Sequence, residues 1–137
     1  MRKVLYTIIL LSILGSQAWA QHDPRIAILE KEPANNAAEL NANAKAIAAL
    51  GEDGITALLS MLEPNGTADN TAIYDVISGF SFYTTQTGKE AWRTMATQAY
   101  CKALTKISDP YNEAFVISQL QIVGKDDAVS TLKKYLN

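Results

Sequence analysis

Residues 108–137, SDPYNEAFVISQLQIVGKDDAVSTLKKYLN, describe two helices in too short a length of chain for either to bury its apolar side. Asp109 offers a carboxylate to the free N–H groups of a first helical turn, and Pro110 suits the position whose own N–H would have no partner. The apolar run that follows predicts an inward face of Ala114, Phe115, Ile117, Leu120 and Val123, closed by Gly124. Asp126 and Asp127 then open a second helix reaching residue 136, with Val129, Leu132 and Leu136 turned inward. Such a pair is thin. Its greasy faces require neighbouring helices, which the chain upstream has to supply.

The upstream residues carry helix signals throughout. Asp23 and Pro24 start a short helix through Ile26, Ile28 and Leu29, and Pro33 ends it. Asn35 or Asn36 caps a helix over residues 37–50, with Leu40, Ala44, Ile47, Ala48 and Leu50 on one stripe and Gly51 as its stop. Glu52, Asp53 and Gly54 begin a third, lined by Ile55, Leu58, Leu59 and Leu62. The segment EPNGTADN, residues 63–70, is built of turn formers and breaks the chain most clearly. Within it Asn65, Gly66 and Thr67 match a glycosylation sequon, while its Asn and Asp spacing does not fit a calcium-binding EF-hand loop. Asn70 or Thr71 caps a fourth helix with Ile73, Val76, Ile77, Phe80 and Tyr83 inward. A fifth, over residues 89–107, carries Trp92, Met95, Ala96, Ala99, Tyr100, Ala103, Leu104 and Ile107 at helical spacing. No stretch alternates with period two, so the fold class is all-α.

The first twenty residues belong to a different problem. Arg2 and Lys3, a short apolar core over residues 4–14 and the sequence Ala18, Trp19, Ala20 have the parts of a secretory signal peptide. The apolar run falls short of the roughly 18 to 20 residues of a membrane span. The expectation is an exported chain, periplasmic or secreted, with no stable membrane insertion after cleavage. Its divisions are a signal peptide at 1–20, a segment with a short helix at 21–34 and a helical domain at 35–137. Without Arg2 and Lys3, ten basic residues face fourteen acidic ones, and no basic cluster larger than Lys133 and Lys134 remains. Nucleic acid, whose binding depends on clustered Lys and Arg, is therefore not the expected partner.

Two segments share one design. Residues 44–62 lie over residues 117–136 with Gly51 on Gly124, an acidic residue two positions on in each, and Ile55, Leu58 and Leu62 on Val129, Leu132 and Leu136 after one insertion. The interval of 73 residues leaves room for one more helix pair, which residues 70–107 fill. Through Asp109 and Pro110, the end running into Gly124, the acidic restart and the Val129, Leu132, Leu136 spacing, the chain resembles HEAT repeats. The phrase AFVISQLQIVGKDDAVSTLKKYL is similar to HEAT units of secreted bacterial proteins. The resemblance implies a right-handed α-α superhelix of about three helix pairs. It covers residues 43–62 and 109–136 well and 71–107 weakly, and the units are shorter than the roughly 40 residues usual for HEAT. The last unit has no polar cap after it, so the chain is expected to be the N-terminal part of a longer protein or to have its end covered by another subunit.

Catalytic chemistry finds little support in these residues. The one His, His22, stands next to the cleavage site, far from the one Cys, so neither zinc ligation nor a Cys-His pair has its members. Cys101 reads as a small buried hydrophobe. The acidic pairs Glu52, Asp53 and Asp126, Asp127 suit helix N-termini. No cofactor or metal is called for. What remains is aromatic: Phe82, Tyr83 and Trp92, bordered by Lys89 and Arg93, lie where the repeat is least regular. They either plug uneven packing or offer flat rings to a peptide or glycan. The expected function is a non-catalytic scaffold or protein-interaction module. The alternatives are an accessory helical region of a secreted carbohydrate-active enzyme or a small glycan or peptide binder.

Overall fold

A computed structural model describes residues 23–136. The signal segment 1–20 and His22 lie outside the described residues. Among those residues the chain is all-helical: α1 (Pro24–Leu29), α2 (Ala37–Ala49), α3 (Gly51–Leu59), α4 (Thr71–Thr84), α5 (Glu90–Leu104), α6 (Pro110–Val123), α7 (Asp126–Leu132) and a closing 3₁₀ turn, Lys133–Tyr135. Three starts follow the expected chemistry. The side chains of Asp23, Asn36 and Asp109 accept hydrogen bonds from the backbone N–H groups of Arg25, Glu39 and Asn112. The Asn70 side chain does not cap α4, and Asp69 instead accepts from the Thr71 N–H at 2.9 Å.

Helices pack on their second neighbours in sequence. α2 lies on α4 and α4 on α6, while α3 lies on α5 and α5 on α7. α2 also meets α3, α4 meets α5, and α5 lies closely against α6. The α2–α4 approach is close because Gly79 has no side chain: a Cβ there would stand 2.7 Å from the Leu40 Cδ1. α4 and α6 run in the same direction. The Tyr74 ring, in the first turns of α4, sits 4.5 Å from that of Phe115 in α6, and Arg93 at the start of α5 reaches the last carbonyls of α6.

The core runs between these layers. Ile47, Ile55, Leu58, Leu59, Ile77, Phe80, Tyr100, Leu104, Val116 and Leu120 are all fully buried, each worth about 1.5–3 kcal/mol relative to exposure for the aliphatic and Phe side chains. The inward stripe expected of α4 is buried in full. Cys101 is half-buried at the edge of this core rather than inside it.

Two expected faces are corrected. In α6 the buried residues are Asn112, Val116, Gln119, Leu120 and Val123, while Phe115 and Ile117 are half-buried and Ala114 is exposed. Apolar residues stand nearly all round this helix, so periodicity could not select the side that faces α4 and α5. In α7 the buried residue is Ala128, and Val129 and Leu136 are 44% and 78% exposed. Among the larger helices α7 packs chiefly on α5, and its short length ends in the 3₁₀ turn. The overlay of Val129 and Leu136 on buried Ile55 and half-buried Leu62 therefore fails in burial. The matched glycines also differ. Gly51 has φ +68°, a left-handed link between α2 and α3 with nothing near a hypothetical Cβ. Gly124 is extended at φ −65°, ψ 150°, and a Cβ there would stand 2.5 Å from the Leu120 carbonyl oxygen and 2.8 Å from the Ala128 Cβ.

The turn-rich segment 63–70 is held by buried amides. Asn70 Nδ2 donates to the Glu63 carbonyl at 2.8 Å while its Oδ1 accepts from the Glu63 N–H at 3.0 Å. Asn112 on α6 donates to the same carbonyl at 2.8 Å and accepts from the Tyr74 hydroxyl at 2.6 Å. Asn65 N–H donates to Asp109 Oδ2 at 3.2 Å, so one loop is tied to α4 and to α6.

Candidate interaction surface

Three of the five residues singled out in the sequence, Tyr83, Lys89 and Trp92, come together where α4 ends and α5 begins. α4 stops in a run of hydroxyl side chains that satisfy its last carbonyls: Thr84 Oγ1 donates to the Ser81 carbonyl at 2.8 Å and Thr85 Oγ1 to that of Phe82 at 2.7 Å. Gly88, at φ +82°, turns the chain back. Its N–H donates to Glu90 Oε1, and the backbone N–H groups of Glu90 itself and of Gly88 hold that carboxyl below its ordinary range. The tight return brings the Tyr83 and Trp92 rings into a stack, with centroids 5.7 Å apart and planes 27° apart. Lys89 lies over both, its Nζ 5.1 Å from the Tyr83 centroid and 4.8 Å from that of Trp92.

These positions give the residues different capacities. Tyr83 is only 5% exposed and Trp92 is half-buried, and Lys89 lies over both stacked rings, so a flat ligand meets Lys89 first. Arg93 points away from any incoming acid: its Nε donates to the Val123 carbonyl at 2.7 Å and its Nη2 to that of Ile122 at 3.2 Å, where the negative end of α6 attracts a cation. Phe82, 66% exposed, is the one ring of the group open to a partner.

The structure adds a residue that periodicity overlooked. Ile122, 40% exposed, lies at the end of α6 that Arg93 holds, and α4 and α6 run the same way, so it shares the Phe82 end of the molecule. Tyr111 at the opposite end of α6 is also exposed, as is Val129 on α7. The only sequence signal for Ile122 was its position off the inward stripe of α6, which was itself misplaced.

Other concave surfaces lie elsewhere. A groove of about 510 Å³ is lined by Glu30, Glu32, Glu39 and Asn43, and one of about 400 Å³ by Leu59, Leu62, Ile107 and Asn112. In the first, Glu39 is held below the usual carboxylate range by the Asn35 N–H and side-chain amide. Glu52 and Asp53 at the start of α3 meet Lys102 of α5, at 3.6 and 2.5 Å, and that amine lowers the Asp53 pKa. Among the described residues no group of three His, Cys, Asp or Glu side chains is placed to hold a metal ion, and no helix is long and apolar enough to cross a membrane.

No protein-family model, no curated protein and no solved structure matches the chain.

Proposed function

We propose that this chain is a HEAT-like segment of an α-solenoid, exported from the cell, that acts without catalysis as a protein-interaction module. The observation that carries the reading is the alternation of partners, in which α2, α4 and α6 pack in one series and α3, α5 and α7 in another. Stacked helix pairs of this kind leave an extended face whose surface side chains choose the ligand. We assign the apolar anchor to Phe82 and Ile122, both exposed at one end of the molecule, since exposed aromatic and aliphatic side chains mark interaction surfaces. Stacking of a sugar on Tyr83 and Trp92 is the weaker reading, since Lys89 would first have to leave both rings.

The test is site-specific photo-crosslinking in the source cells. A photoreactive residue at position 82 or 122 is expected to give the same discrete protein adduct, while one at exposed Gln98 on α5 gives none. Absence of an adduct at both 82 and 122 overturns the interaction surface. Sequencing of the same purified material tests export, with Gln21 expected as the first residue.

A further inference from the structure

Asn65 and Gly66 form the one Asn-Gly pair in the chain. They occupy the two central positions of a β-turn closed by the Thr67 N–H on the Pro64 carbonyl at 3.0 Å. Gly66 has φ +83° and no other residue type shows a positive φ among the described residues, which makes the turn type II. Both residues are exposed. Nothing stands within 4 Å of a hypothetical Gly66 Cβ, and among the described residues the Gly66 N–H donates no hydrogen bond. The amide nitrogen that follows Asn65 is thus unhindered and uncommitted.

We propose that Asn65 is a self-modifying position, where loss of its side-chain amide loosens the tie between the 63–70 loop and α6. The Gly66 backbone nitrogen attacks Asn65 Cγ, forming the new C–N bond of a five-membered succinimide. The Cγ–Nδ2 bond breaks and ammonia leaves with the proton shed by the attacking nitrogen. Water then opens the ring at either carbonyl, giving aspartate or isoaspartate. No oxidant or enzyme is needed. Turn closure resists the rotation at Asn65 that the attack requires, but that closure rests on Thr67 alone, through its N–H and its hydroxyl at 2.7 Å from the same carbonyl.

The product alters a specific contact. The Asn65 N–H donates to Asp109 Oδ2 at 3.2 Å, and Asp109 Oδ1 caps α6 through the Asn112 N–H at 3.0 Å. Either product adds a carboxylate beside Asp109, and like charges in proximity repel. Isoaspartate also inserts a methylene into the backbone, enlarging the ring closed between Pro64 and Thr67. The cap and the loop then compete for a weakened Asp109.

The test is peptide mapping of the purified protein aged in mildly alkaline buffer, with Asn35, Asn36 and Asn41 as exposed internal controls. The expected result is progressive loss of the Asn65 amide, with isoaspartate in excess of aspartate, while the controls keep theirs. Loss at Asn65 no faster than at Asn36 overturns the proposal. Hydrogen exchange at the Asn112 amide is expected to rise in the modified fraction and to stay unchanged in Asn65→Gln aged alongside. Equal exchange in modified and unmodified protein overturns the link to α6.

Discussion

Arg93 on α5 donates through Nε to the carbonyl oxygen of Val123, the last residue of α6, at 2.7 Å. A second bond from Nη2 to the Ile122 carbonyl makes the guanidinium a side-chain cap supplied by a neighbouring helix. Arg93→Ala is therefore expected to destabilise the fold by about 2 kcal/mol, the scale of a hydrogen bond to a charged group. Arg93→Lys, which lacks the planar fork, restores part of this. Urea unfolding of the three proteins checks both. A loss confined to binding at Phe82, with unchanged stability, would contradict the capping role.

Asn112 joins two partners, the Tyr74 hydroxyl and the Glu63 carbonyl. Its removal leaves the Tyr74 hydroxyl without an acceptor and takes one of two donors from the Glu63 carbonyl. Asn112→Ala is expected to cost about 2–3 kcal/mol, and to expose the 63–70 loop to proteolysis before the core opens. Limited digestion followed by mass spectrometry reads the order of cuts.

Gln119 presents the opposite case. Its side-chain Oε1 is buried without a hydrogen-bond partner among the described residues, and its Nε2 reaches only the neighbouring Ser118 hydroxyl at 3.3 Å. Gln119→Met keeps the shape and removes the unsatisfied acceptor. It is expected to raise stability by about 1 kcal/mol. A lower melting temperature would show that the amide is satisfied by solvent.

The two glycines that align in the sequence are expected to respond differently to a side chain. Gly51→Asn keeps a residue tolerant of the left-handed region and costs less than Gly51→Ala, which is strained by about 1 kcal/mol. At Gly124 conformation is not the obstacle. Gly124→Ala forces its methyl against the Leu120 carbonyl and Ala128 and is expected to cost about 1–3 kcal/mol, and Gly124→Asn costs more. Thermal melts of the four variants distinguish the two mechanisms by the order of Asn and Ala.

Tyr100 gives the fold an alkaline limit. Ser81 Oγ donates to the Ile77 carbonyl at 2.9 Å, so the Tyr100 hydroxyl donates to Ser81 at 2.8 Å. Burial pushes the Tyr100 pKa up, since the phenolate has no solvent around it. The native state therefore holds the proton that an unfolded tyrosine releases near its ordinary pKa of 10.0. Stability from this group is fully present below that pH and falls as pH rises above it. Tyr100→Phe is expected to lose about 1 kcal/mol at neutral pH and to show a shallower decline in alkali, measured by urea midpoints across the pH range.

Local chemistry was legible in the residues before any coordinates: the caps at Asp23 and Asp109, a cap at Asn35 or Asn36, the stop at Gly51, the inward stripe of α4 and the all-helical character each depend on neighbours within a turn or two of chain. The exposure of Phe82 followed from the same periodicity. The face α6 turns to the core, the shallow seating of α7 and the diversion of Arg93 to the end of α6 were decided by which helix lies alongside. A helix with apolar residues nearly all round has several faces of similar hydrophobic worth, and only the shape of its neighbours, here Tyr74 beneath Phe115 and Ala128 against Gly124, selects one of them.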